Sequence, residues 1–192
     1  MNVARRAKAM LVDPLAEWTL IEQEPGDPAF VLTRYVAVLG LIPALFGFLG
    51  TSIIGVIVPG AGTVRAPIVD GLFGAIFGYV TACATVLVLG LVINLLAPLF
   101  GGRRDFDSAF KLAVYSFTPV WLAGTFLTLP GLRFLVLTGF YGVYILWLGL
   151  PRLTKAQGRR SRDFTVLIVV AAFLLVIIAA TAQRTMFGTP GL

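Results

Sequence analysis

Asp105 and Asp107 stand two apart beside Arg103 and Arg104. Such a pair of carboxylates could hold a metal ion or divide acid and base roles. The loop that carries them is short, however, and Ser108 follows as an expected N-cap of the next helix. It therefore reads as a solvated cap loop. The 192 residues contain no histidine and a single cysteine, Cys83. This excludes the Ser-His-Asp triad, the Cys-His dyad and the HExxH zinc site. Cys83 lies in an apolar run and reads as a small buried residue. No catalytic residue, metal ligand or cofactor is expected.

Asp70-Gly71-Leu72-Phe73-Gly74-Ala75 begins like the metal-binding signature of phospholipid head-group transferases, but Ile76 stands where that signature needs arginine. The downstream acidic pair is also missing, so no two-metal site can be completed. The remaining candidate positions are milder. Pro43, Pro98 and Pro119 would free the carbonyls of Leu39, Asn94 and Tyr115, because a helical proline has no N–H to give. Asn94, Tyr115, Thr118 and Pro119 thus form a candidate polar, kinked patch inside the membrane. Gly74, Gly78 and Ala82 recur at four-residue spacing on one helix face, a pattern that suits close helix packing or a homodimer.

The elements that carry these residues follow from composition. Hydrophobic residues make up 58% of the chain and charged residues 12%. A soluble domain of this size could not hide that much apolar surface, and disorder requires low hydrophobicity. The expected fold is all-α, a polytopic membrane helix bundle. Five stretches are long and apolar enough to cross a bilayer, at about 35–58, 70–97, 109–129, 132–149 and 164–182. Their centres lack Asp, Glu, Lys and Arg, which argues against a proton-coupled pump or a voltage sensor.

With five spans the basic residues sort 12 to 3 between the two sides. The expected orientation has the N-terminus in the cytoplasm and the C-terminus outside. This spread of charge does not suit nucleic acid, which needs one basic face. The densest basic run, Arg152, Lys155, Arg159, Arg160 and Arg162, would face anionic lipid headgroups on the cytoplasmic side. Residues 1–29 have no apolar signal core and read as an amphipathic leader ahead of one membrane domain, 30–192. Val3, Ala7, Met10 and Leu11 share a face. Asp13-Pro14 reads as an N-cap and first helical residue. Leu15, Trp18 and Ile21 share the next face, with Glu17 and Glu22 elsewhere. Asp13, Pro14, Trp18 and Glu22 are therefore candidate interface residues, with Trp18 expected at headgroup depth.

Three segments in order carry a resemblance: the leader from Asp13 to Pro25, Ala113-Val114-Tyr115-Ser116-Phe117-Thr118-Pro119-Val120-Trp121, and Tyr141-Gly142-Val143-Tyr144 through Gly149-Leu150-Pro151. Together they resemble the bacterial branch of the Yip1 family. The eukaryotic Asp-Leu-Tyr-Gly-Pro motif is reduced here to Asp13-Pro14, so a role with Golgi small GTPases does not carry over. The resemblance implies five membrane helices, a cytoplasmic N-terminus, a bacterial inner-membrane location and no catalytic residues. The expected function is non-enzymatic organisation of membrane lipids or partner proteins, including a possible membrane-protein partner or homodimer. Transport of a neutral or lipidic substrate is the alternative.

Overall fold

The computed structural model describes residues 2–58, 60 and 62–187. Two short helices, α1 (Val3–Val12) and α2 (Pro14–Gln23), form the leader. Asn2 caps α1 by accepting from the Arg5 amide at 3.1 Å, and Asp13 caps α2 by accepting from Ala16 at 3.1 Å. Asp13-Pro14 therefore starts a helix as its residue types require.

The first long helix, α3, is continuous from Pro28 to Ile54. It includes two widened stretches with π-helical bonding, Leu32–Val36 and Leu49–Ile54. The expected span 35–58 is corrected at both ends. Asp27 caps the helix by accepting from the Phe30 amide. Gly55, at φ 95°, then ends it in a conformation that a side chain would strain. Beyond Gly55 the chain turns extended. Strand β1 (Val56–Val58) pairs antiparallel with β2 (Gly62–Val64), Val56 opposite Val64.

Helix α4 (Ile68–Leu96) continues as a 3-10 turn, Ala97–Phe100, in which Pro98 occupies the first turn. Asp105 then caps α5 (Phe106–Ser116), accepting from the amide and hydroxyl of Ser108. The cap is thus Asp105 rather than Ser108. Burial disfavours the Asp105 carboxylate, but those two hydrogen bonds, with the Arg103 charge and the Asp107 amide, outweigh it and hold the carboxyl below its ordinary range.

The expected span 109–129 is broken. Helix α5 stops at Ser116, α6 covers Thr118–Ala123, and a 3-10 stretch covers Gly124–Thr128. A further 3-10 stretch, Pro130–Phe140, leads into α7 (Tyr141–Thr154). The last helix, α8, runs from Gly158 to Phe187. Four segments are long and apolar enough to cross a membrane: Pro28–Ile54, Ile68–Phe100, Gly131–Thr154 and Gly158–Phe187. The expected count of five is thus not confirmed among the described residues, because residues 109–129 form no single long helix.

The broken segment is instead the centre of the bundle. Every residue from Ala109 to Ser116 is buried. Backbones approach closely around it, at positions where a side chain would not fit. A Cβ on Gly124 would lie 2.7 Å from Pro43 Cβ, and one on Gly142 would lie 2.4 Å from the Ser116 carbonyl oxygen. The long helices instead show apolar side chains outward, such as Phe73, Val80, Leu174 and Ile178. That inside-out distribution fits a lipid surround.

Candidate functional site: the leader and the polar knot beneath it

Trp18 is fully buried. Its indole N–H donates to the Ile145 carbonyl at 3.0 Å, and its ring meets Tyr115 edge-on at 6.2 Å. The ring fills a notch at Gly149, where a Cβ would come within 2.4 Å of Trp18 Cε2. The ring therefore packs into the protein, where it anchors the leader to α7. Tyr141 adds a second attachment by donating to the Leu11 carbonyl at 3.2 Å. The attachments span Tyr141 to Gly149, about 12 Å along the helix, so the leader is wedged against α7 rather than laid flat on the surface.

Arg6 turns inward. It pairs with Glu17 at 2.6 Å and with Glu24, and its guanidinium lies 5.8 Å from the Tyr115 ring centroid. Burial opposes its charge, but Glu24 and Glu17 more than offset that, so its pKa stands above the ordinary value. Lys111 is also buried and donates to the Glu24 carbonyl at 2.7 Å. Beside these groups lies a polar cavity of about 260 Å³, with Glu22, Arg103, Asp107, Lys111, Arg152 and Lys155 in its wall.

Below this layer Tyr35, Tyr115 and Thr118 meet. Pro119 cannot donate to the Tyr115 carbonyl, and the Thr118 hydroxyl does so instead at 2.7 Å. Thr118 has one proton and has used it, so the Tyr35 hydroxyl, 2.8 Å away, must be the donor to Thr118 Oγ1. Tyr35 also packs edge-on against Tyr115 at 4.8 Å. Three of the four patch residues, Tyr115, Thr118 and Pro119, are thus together. Asn94 makes no hydrogen bond to them, and its buried Oδ1 has no partner among the described residues. The patch is a bend whose freed carbonyl is met locally by Thr118 and which Tyr35 joins from the first long helix.

The basic run divides. Arg152 donates to Thr19 Oγ1 at 2.6 Å, and Lys155 pairs with Glu22. Both therefore hold the leader. Arg159, Arg160 and Arg162 are exposed at the start of α8. The small-residue face is also in use within the chain. Gln183 on α8 donates to the Gly74 carbonyl at 3.2 Å and lies against Gly78, with Phe187 beside Gly74. Ala82, on the same face, is half-buried. Sequence reasoning missed Arg6, Glu17, Glu24, Lys111 and Tyr35. The available signals were five charges of both signs on the leader's two helices, Arg5, Arg6, Lys8, Glu17 and Glu22, and a lysine within an apolar stretch.

These features define a polytopic helical membrane protein with a docked N-terminal wedge. The chain matches the Yip1 domain over residues 8–180 and belongs to that family. It is 29% identical to inner membrane protein YohC of Escherichia coli strain K12 over 175 residues, 88% of this chain and 89% of the relative. The protein of the same name from Escherichia coli O6:H1, strain CFT073, matches equally, at 29% over 175 residues. No solved structure matches. Neither the family's description nor the relatives' name denotes an enzyme.

Proposed function

We propose that this protein is a non-enzymatic inner-membrane organiser of anionic lipid, with its leader and its 152–162 segment on the cytoplasmic side. The observation that carries the reading is the division of charge at that end. Arg6, Lys111, Arg152 and Lys155 are engaged with the leader or its acidic residues, whereas Arg159, Arg160 and Arg162 remain exposed. The leader adds exposed Arg5 and Lys8 and the exposed apolar residues Val12, Leu15 and Leu20. Apolar side chains beside cations are the composition of a segment that meets lipid headgroups. The name of the YohC relatives supports the location, and the contacts of Arg152 with Thr19 and of Lys155 with Glu22 gather the leader and the 152–162 segment into one basic end, which supports the orientation.

Each arginine near an anionic surface contributes about 1 kcal/mol. The full chain in nanodiscs of mixed zwitterionic and anionic phospholipid should retain anionic lipid on gentle release into a mass spectrometer. Replacing Arg159, Arg160 and Arg162 together by Gln should lower that retention by about two orders of magnitude, since three such terms sum to about 3 kcal/mol. Unchanged retention in the folded triple variant would refute the reading.

A further inference from the structure

The polar cavity of about 260 Å³ beside the leader is walled by four cations and four carboxylates among the described residues. Most of these charges are already matched. Lys155 pairs with Glu22, Arg103 lies 3.7 Å from Asp105, and Glu24 is held by Arg6. Three are left: Asp107 and Lys111 on α5, and Arg152 on α7. None of the three makes an ion pair among the described residues. Asp and Lys four apart on a helix are neighbours that ordinarily attract. Here the Lys111 ammonium is drawn instead to the Ile21 and Glu24 carbonyls, at 3.4 and 2.7 Å. Arg152 uses one of its several N–H donors on Thr19 Oγ1. Asp107 and Arg152 are both half-buried, and no side-chain atom of either is among the buried atoms without a partner. Their free oxygens and nitrogens are therefore accessible, and the cavity is the space whose wall they share.

One carboxylate and two cations held apart around a cavity select a ligand that carries both signs. A plain anion would meet the unpaired Asp107, and a plain cation would meet Arg152 and Lys111. A zwitterion leaves the balanced wall neutral and forms charge-assisted hydrogen bonds at both of its ends. Depth sets the rest. Two membrane-length segments end at Phe100 and Thr154, and Arg103, Asp107 and Lys155 follow within a few residues. The cavity thus lies just outside the hydrocarbon core, at the level of lipid headgroups. A carboxylate accepts hydrogen bonds, and a primary ammonium donates three, whereas a trimethylammonium donates none. A cavity of about 150 Å³ accepts benzene, so about 260 Å³ admits the somewhat larger phosphoethanolamine head. We propose that this cavity binds a phosphodiester bearing a primary ammonium, with the ammonium at Asp107 and the phosphate at Arg152 and Lys111. The proposal goes beyond the binding of anionic lipid by Arg159, Arg160 and Arg162 and does not depend on it.

The test uses the full chain in nanodiscs of phosphatidylethanolamine and phosphatidylcholine with the same acyl chains. Native mass spectrometry should show a one-to-one phosphatidylethanolamine adduct, retained about tenfold over phosphatidylcholine. Asp107→Asn should erase that preference while hydrogen exchange of the α2 amides stays unchanged, so that the loss is not one of leader docking. Asp107→Ser repeats the measurement if the first variant does not fold. Replacing Arg159, Arg160 and Arg162 together by Gln should leave the adduct intact, which separates this site from the α8 arginines. Glycerophosphoethanolamine added to pure phosphatidylcholine nanodiscs identifies the source. An adduct with it and none with the lipid would support the same chemistry on a soluble diester. Equal retention of the two lipids with no glycerophosphoethanolamine adduct, an unchanged preference in Asp107→Asn, or loss of the adduct with the α8 arginines would each overturn the proposal.

Discussion

Gly149→Ala should undock the leader, and the reason lies in a single contact. The added methyl would sit 2.4 Å from Trp18 Cε2, 2.6 Å from Cζ2 and 2.8 Å from Leu112 Cδ1. The Leu112 methyl ends a flexible side chain and can move. The indole cannot move freely, because its N–H is held by the Ile145 carbonyl and its other edge meets Tyr115. Overpacking of this kind costs about 1–3 kcal/mol. About 2 kcal/mol corresponds to about a thirtyfold rise in the opening of the docked leader. Trp18→Ala removes a buried ring and its hydrogen bond, at a cost of about 3–5 kcal/mol. In that background Gly149→Ala has no ring to meet, and its own cost should fall below about 0.5 kcal/mol, as for changes with no strained contact. Hydrogen exchange of the α2 amides in the four proteins of the double-mutant cycle measures these quantities. Equal costs for Gly149→Ala in both backgrounds would refute the docking argument.

Other outcomes follow from the polar knot. Arg6→Ala leaves Glu17 and Glu24 facing each other without their cation and should destabilise the docked leader by about 3 kcal/mol, read by limited proteolysis. Thr118→Val removes the hydroxyl that donates to the Tyr115 carbonyl and accepts from Tyr35, and should lower stability by about 2–3 kcal/mol in detergent unfolding titrations. Tyr35→Phe removes only a donor and should cost about 1 kcal/mol. Asp105→Ala removes the cap of α5 and should cost about 1 kcal/mol. The sign of its pH effect follows from the depressed carboxyl: the Asp105 contribution is present above the unfolded aspartate pKa and is lost as pH falls through the lower folded value.

Much of the fold was legible because bilayer physics writes itself into runs of apolar residues. The long helices and the cap at Asp13 needed only length and residue type. The strand pair after Gly55 was not legible, since Val56-Ile57-Val58 suits a helix in lipid as well as a strand. The expected span 109–129 misled for a related reason. An apolar run records absence of water, and the interior of a bundle is as dry as the lipid around it. Phe117-Thr118-Pro119 was visible as a bend, but not as the end of one helix and the start of another. For the site, Thr118 could be placed beside the carbonyl that Pro119 frees because both lie on one segment. Tyr35 could not, because it reaches Thr118 across 83 positions of sequence.

Trp18 shows the same ambiguity in its sharpest form, and one further experiment separates its two readings. A leader that carries apolar residues, a Trp and, on its first helix, cations has the composition of an interfacial segment, yet the apolar face of Trp18 satisfies a notch made by Gly149. Lipid-facing and protein-facing placement predict opposite responses to bilayer-borne quenchers. Single-tryptophan proteins with Trp121 and Trp147 changed to Phe isolate the emission of Trp18. With its ring fully buried, phospholipids brominated near the headgroup should quench it only weakly. In the Trp147 counterpart, 45% exposed on α7, the matching series should quench strongly at the depth of that residue. Strong headgroup-level quenching of Trp18 would place the leader on the membrane surface and remove the wedge. Quenching that appears only after Gly149→Ala would instead tie the notch, the indole and the docking of the leader into one equilibrium.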